Sequence, residues 1–350
     1  MDYFDRFADE LKYVRNDIYL YGAGYIAGKI TNHLWNRGIE LNGYIVDSKY
    51  CPKDENKRVI NGKPIITAEM LTEDCVLIDA VQLNASPVKL PESEHIKRVF
   101  RLDLSSYVLF GAYPETFISE NYNSIKKLYD RLCDAESRCA LASFLAQRIT
   151  GCYSKPFSQH ESYFDEDIFL PRADEIFVDC GAFDGDTIVK FSEFLKKNGV
   201  SSYKKCFAFE PDEENYKLLK SNLSDYPNIV TYKLGTHCCK DTLHFSDGKG
   251  TGSCIQNSGT VSIDVDSLDN VLNGEEITYI KMDVEGAELN SLKGAKNIIE
   301  KYRPRLAICV YHKTDDLLTI PDYILSINPD YKLYMRNYKG SGVDAVLYAV

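Results

Sequence analysis

Short apolar runs alternate along this chain with stretches whose apolar residues recur at helical spacing. Ile18-Tyr-Leu-Tyr21, Gly43-Tyr-Ile-Val-Asp47, Val76-Leu-Ile-Asp-Ala80 and Val99-Phe-Arg-Leu102 read as strands of one series. Ile176-Phe-Val178, Lys205–Phe209, Ile229–Leu234, Ile277–Met282 and Arg305–Val310 read as strands of a second. Between them, Ile26, Ile30 and Leu34 mark one helix face, and Ile188, Phe191 and Leu195 another. Leu289, Leu292, Ile298 and Ile299 mark a third. Strands alternating with helices predict an α/β fold with parallel sheets. Tyr331–Met335 and Ala345–Val350 read as a closing hairpin pair. From Thr116 to Gly151 the pattern is helical throughout, with Ile125, Leu128, Leu132, Cys139, Leu141 and Leu145 near one period. The expected organisation is therefore a smaller Rossmann-like α/β domain over 1–104, a helical bridge over 105–172, and a larger Rossmann-like domain over 173–350.

The sharpest local signal is Glu175–Thr187. A buried strand runs into Asp179, a turn follows with Gly181 and Gly185, and Asp186 and Thr187 open a helix that stops at Gly199. Glycines there permit positive φ and let a ligand approach the backbone. The next strand ends on Glu210-Pro211, where an acid can accept from both hydroxyls of a ribose. The spacing D-x-G-x-x-x-G, helix, strand, acid suits S-adenosylmethionine better than NAD, because Cys180 and Ala182 do not supply G-x-G-x-x-G.

The N-terminal series does carry a dinucleotide-like fingerprint. Gly22, Gly24 and Ala27 follow the first strand, and Asp47 ends the second. A nucleotide surface and a purely structural Rossmann-like domain are both consistent with it. Asn61-Gly62 and Lys63-Pro64 are turn signals.

Composition narrows the partners. The chain has 350 residues and a net charge of −11 without a lysine or arginine block, which disfavours nucleic acid and anionic membrane. The apolar runs are too short to span a bilayer. Eleven cysteines without C-x-x-C predict reduced thiols and a cytoplasmic location. His237-Cys238-Cys239 with His244 has poor zinc spacing and reads as ordinary strand and loop residues. Gly248–Ser253 is a loop, either folding over a ligand or plain solvent-facing.

Four segments together resemble the FkbM family of S-adenosylmethionine-dependent methyltransferases. They are Phe177–Thr187, Phe209-Glu-Pro211, Ser267-Leu-Asp269 and Ile280-Lys-Met-Asp-Val-Glu-Gly-Ala-Glu288. The tail Val310–Asp316, with Ile320-Pro321 and Asn328-Pro329, is similar to the same family. The match covers about residues 160–350, and K-x-D-x-E-G-x-E is its most specific element. The resemblance implies a class I methyltransferase fold acting on hydroxyls of sugars, glycans or polyketides. Residues 16–104 more loosely resemble the Rossmann-like domain of polysaccharide-biosynthesis proteins that handle nucleotide sugars.

The expected cofactor contacts are Asp179, Gly181, Ala182, Phe183, Gly185, Asp186, Thr187, Glu210 and Pro211. Gly22, Gly24 and Asp47 are the N-terminal nucleotide candidates. An alcohol is a weak nucleophile at neutral pH, so a base or a metal must help. His312, with an ordinary pKa near 6.5, is the first candidate base and Asp283 the second. Asp283, Glu285 and Glu288 alternatively suit Mg²⁺, a hard ion that prefers such oxygens. The same glutamates fit a helix N-terminus with no further role. Lys281 either pairs with a neighbouring acid or is part of the site, and Tyr163-Phe164 lines either the cleft or the core. A sugar-nucleotide oxidoreductase or nucleotide-sensing scaffold is the alternative function. Its Tyr122-x3-Lys126 pair lies outside the first βαβ unit.

Overall fold

The computed structural model describes residues 1–81, 89–153, 158–245, 261–338 and 343–350. The chain forms two compact units. The first draws on residues within 1–121, 142–156 and 339–343, and the second on residues within 122–141, 157–338 and 344–350. The stretch 105–172, expected as a separate bridge, is divided between them.

The first unit is a six-stranded sheet of β1 (Asp17–Tyr21), β2 (Gly43–Ile45), β3 (Val59–Ile60), β4 (Lys63–Ile66), β5 (Cys75–Asp79) and β6 (Ile96–Phe100), in the order β3-β4-β2-β1-β5-β6. All pairs are parallel except the β3–β4 hairpin, whose turn Asn61-Gly62 has positive φ at both residues, the twist a two-residue hairpin requires. The helices are α1 (Tyr3–Leu11), α2 (Tyr25–Trp35) and α3 (Leu104–Phe110). Phe4, Phe7, Leu20, Ile30, Leu34 and Tyr44 form the core with them. A short α4 (Phe117–Glu120) follows.

The second unit takes α5 (Tyr122–Arg131) and the start of α6 (Ala135–Thr150). Its main sheet begins with β7 (Ile176–Cys180), β8 (Lys205–Phe209) and β9 (Ile229–Tyr232), with α7 (Asp186–Lys197) between the first two and α8 (Glu213–Asn222) between the last two. A small three-stranded sheet interrupts the series with β10 (Gly235–Thr236), β11 (Asp241–Phe245) and β12 (Val261–Asp266). The chain returns through α9 (Leu268–Val271), β13 (Tyr279–Met282), α10 (Glu288–Lys293), α11 (Lys296–Tyr302) and β14 (Arg305–Cys309). It ends with α12 (Asp316–Ile327), β15 (Leu333–Asn337) and β16 (Ala345–Ala349). The seven strands lie in the order β15-β16-β14-β13-β7-β8-β9. β9, β8, β7, β13 and β14 pair in parallel, and β16 runs antiparallel to both β14 and β15. This is the class I methyltransferase arrangement, with its reversed strand inserted near one edge.

Chain order reverses at β7, which has β8 on one side and β13 on the other. Ligands of open α/β sheets bind at such a switch point, beyond the carboxyl ends of the strands. No helix among the described residues is long and apolar enough to cross a membrane.

Candidate active site

The site begins as a cross-strand pair. Asp179 of β7 lies opposite Lys281 of β13, and both side chains are buried, with Nζ 3.0 Å from Oδ1. Burial pushes the Asp179 pKa up to about 6 against the pull of Lys281. Burial works against the Lys281 charge too, but Asp179 and then Asp283 outweigh it and hold the ammonium charged. Lys281 also donates to the Gly181 carbonyl at 2.8 Å. The lysine thus pairs with an acid and fixes the glycine turn from below.

Gly181 has φ +79°, and a Cβ there would meet the Asp283 carbonyl oxygen at 1.9 Å. Only glycine lets the two strand ends come this close. The Gly181 and Ala182 amides donate to the Phe209 carbonyl at 3.0 and 2.9 Å. Phe183, half exposed at φ +48°, donates its amide to Glu210 Oε2 at 2.9 Å. Glu210 also accepts from the Asp212 amide at 3.0 Å, and burial raises its pKa. It therefore ties the turn to β8 while retaining acceptor capacity, since a carboxylate has about four lone-pair sites. Gly185, at φ +92°, immediately precedes α7, where Asp186 is exposed and pairs with Lys190 at 3.1 Å. Thr187 is buried and Pro211 partly so.

Across the switch point stands a second cluster. Asp283 accepts from Tyr163 Oη at 2.9 Å and Tyr311 Oη at 3.2 Å. Burial opposes its charge, yet Lys281, His312 and the Tyr163 bond together lower its pKa, so it is a carboxylate. His312 is nearly buried. Its Nδ1 lies 2.8 Å from Glu288 Oε1, and its Nε2 lies 3.4 Å from Asp283 and 3.7 Å from Glu285. Burial alone would depress the imidazole, but Glu288, Asp283 and Glu285 overcome it and raise its pKa to about 9. The expectation of an ordinary value near 6.5 is thereby corrected, because three carboxylates surround one ring. Glu288 is fully buried and also accepts from the Val284 amide at 2.8 Å. Asp316 caps the cluster from α12, its pKa pushed up to about 7 by burial and then by Glu288.

The sequence left Tyr163-Phe164 between cleft and core, and the structure splits the pair. Phe164 packs with Phe177, Phe191 and Phe194. Tyr163, at φ +72°, turns its hydroxyl to Asp283. Its main chain is clamped by Tyr279 Oη at the carbonyl and Tyr348 Oη at the amide, the latter at 2.9 Å. Tyr311 and Cys309, which lies 3.5 Å from Tyr163 Oη, were not singled out from sequence. Only their places at the end of β14 hinted at a role.

The donor set does not suit Mg²⁺. That ion retains several waters and takes one or two carboxylates. Glu288 is sealed from solvent, with Oε1 occupied by Val284 and His312, and the cationic imidazole fills the space between the acids.

The other candidates lie elsewhere. Gly22, at φ +107°, follows β1, Gly24 caps α2, and Asp47 accepts from Tyr21 Oη at 2.8 Å. Lys126 is bonded to Asp130 at 2.5 Å on α5, and Tyr122 is exposed. The Gly248–Ser253 loop lies outside the described residues.

Comparison with known proteins agrees with this architecture. The family described as "Methyltransferase FkbM domain" matches residues 179–332. A crystal structure of Methyltransferase FkbM from Methylobacillus flagellatus superposes with a TM-score of 0.72 at 22% identity, covering 99% of this chain and 98% of that one. An rRNA methylase from Streptococcus thermophilus has a TM-score of 0.33 at 18% identity, covering 51% of this chain and 87% of its own. Aeropyrum pernix fibrillarin, with natively bound S-adenosyl-L-methionine, has a TM-score of 0.32 at 12% identity, covering 52% and 70%. No curated protein matches the chain. Residues 179–332 are a methyltransferase domain of the FkbM family.

Proposed function

We propose that this methyltransferase methylates a hydroxyl of a sugar, glycan or related small molecule, with S-adenosylmethionine held by the Gly181–Gly185 turn and Glu210. The observation that carries the reading is the Glu288–His312–Asp283 chain beside that turn, joined to it by the contact of Gly181 with the Asp283 backbone. The cofactor supplies a methyl group on a sulfonium, and the acceptor oxygen displaces the sulfur in line. Orientation of the acceptor by Asp283, Tyr163 and Tyr311 contributes several kcal/mol to such a step. His312 takes the hydroxyl proton at Nε2, and Glu288 at Nδ1 stabilises the imidazolium that forms. The ring is mostly cationic at neutral pH in the resting site, so only its neutral fraction acts as base. A neighbouring sulfonium is a like charge and lowers that pKa. Mg²⁺ has no part in this reading, and exhaustive chelation is expected to leave turnover unchanged. The acceptor is tested by incubating the protein with methyl-labelled cofactor and a panel of nucleotide sugars, followed by mass spectrometry. Label on a sugar oxygen supports the reading, and label only on nitrogen or carbon acceptors refutes it.

In a second reading, the first unit offers a nucleotide or sugar-nucleotide surface at Gly22, Gly24 and Asp47. The positive φ of Gly22 and the acid beyond β2 favour it. Saturation-transfer NMR of the full chain with NAD and UDP- or GDP-sugars tests it, and the loss of signal in Asp47→Ala is expected. The Tyr122/Lys126 pair is not favoured for hydride transfer, since Lys126 is committed to Asp130.

A further inference from the structure

His237, Cys238 and Cys239 follow β10 in the second unit, at the junction of the small sheet and α10. Their ligand atoms all lie within 4.8 Å of one another. Cys238 Sγ is 3.4 Å from His237 Nδ1 and 3.7 Å from Cys239 Sγ. A tetrahedral zinc ion with bonds of about 2.3 Å to sulfur and about 2.0–2.1 Å to nitrogen spans about 3.8 Å between two sulfurs and about 3.5 Å between sulfur and nitrogen. The Cys238–His237 and Cys238–Cys239 distances are close to two edges of such a polyhedron. Adjacent cysteines looked like poor spacing on sequence grounds, but the turn after β10 brings both sulfurs to one point.

The support beneath the cluster is closely packed. The His237 amide donates to the Asp266 carbonyl at 2.9 Å. The His237 carbonyl packs so closely on Gly294 that a Cβ there would sit 2.0 Å away. His237 Nε2 lies 2.9 Å from the Asn290 side-chain amide on α10. Asn290 Nδ2 is the atom that faces Nε2, so this amide holds the ring in place. Both cysteines are solvent-exposed, so an ion has an open path and a fourth position for water or an exogenous ligand.

We propose that His237, Cys238 and Cys239 form a binding site for a thiophilic d10 cation of the zinc class, separate from the methyl-transfer site. Binding deprotonates the thiols and releases their protons to solvent. The ion plays no part in transfer, so chelation strips it without loss of turnover.

Titration of the full chain with Co²⁺, as a spectroscopic probe for Zn²⁺, tests the site. One equivalent is expected to give a thiolate-to-cobalt charge-transfer band that Zn²⁺ abolishes. The band should vanish in Cys238→Ser/Cys239→Ser and weaken in His237→Gln. It should persist in Cys133→Ser/Cys139→Ser/Cys152→Ser, which removes the other exposed thiols among the described residues. Calorimetric binding of S-adenosylmethionine to each variant reports that the fold is intact. An undiminished band in the Cys238/Cys239 variant, or its loss in the triple variant, overturns the proposal while leaving the methyltransferase reading untouched.

Discussion

At the scale of single residues, the site depends on charge held out of water and on one missing methyl group. His312 is the clearest case, because three carboxylates raise its pKa to about 9. A general base must be deprotonated, so turnover at saturating cofactor is expected to climb as pH rises through neutrality and to level off near that value, or below it with the sulfonium present. A pH profile that is flat across neutrality would move the base role to Asp283, whose pKa is lowered. His312→Ala should reduce turnover by about 10²–10⁴-fold with cofactor affinity nearly intact. Steady-state kinetics beside calorimetry separate these two effects, and wild-type turnover in the variant would make the residue structural. Gly181→Ala should abolish cofactor binding, since the added Cβ meets the Asp283 carbonyl and the backbone is already left-handed. Calorimetry and a thermal melt of that variant show whether the turn or the whole unit gives way.

At the scale of elements, α6 is fastened to β15 within the second unit by a buried ion network. Arg336 is almost wholly buried, 2.8 Å from Asp134 and 3.3 Å from Asp165, and it donates to Ser137 Oγ at 2.8 Å. Removing one partner from such a network strands the others, so Arg336→Ala should cost about 3–5 kcal/mol. Chemical denaturation measures it, and a loss below about 1 kcal/mol would show that the acids relax into solvent. None of this network was visible in the sequence, because Asp134, Asp165 and Arg336 are far apart in it and carry no local periodicity. The strands β7, β8, β13 and β14 were legible, since their buried runs are nearly unbroken. So was the acid or histidine at each of their carboxyl ends. The last strand of the first sheet was misplaced: β6 spans Ile96–Phe100, not Val99–Leu102. Its Lys97, Arg98 and Val99 are exposed, so an edge strand gave little apolar signal. Helix α1 and the small sheet β10-β12-β11 were missed for a related reason. They are short or carry acids between their apolar positions, as Asp5, Asp9 and Glu10 do.

At the scale of the molecule, the chain carries two mostly parallel sheets, each with glycines and acids beyond its first strands, and the chemistry is assigned to the second. There the reversal of strand order at β7 places Asp179, Gly181, Glu210, Asp283 and His312 along one carboxyl edge. Topology explains why residues more than a hundred positions apart were expected together, and their separations could come only from the coordinates. The account rests on this edge being the cofactor site. Calorimetric titration of the full chain with S-adenosylmethionine, wild type beside Glu210→Gln, tests that most directly. Removing the charge from the acceptor that ties the turn, the residue proposed to hold the ribose, should weaken binding by about tenfold or more, the scale of a charge-assisted hydrogen bond of about 1.5–3 kcal/mol. Equal affinity in the two proteins would contradict the account.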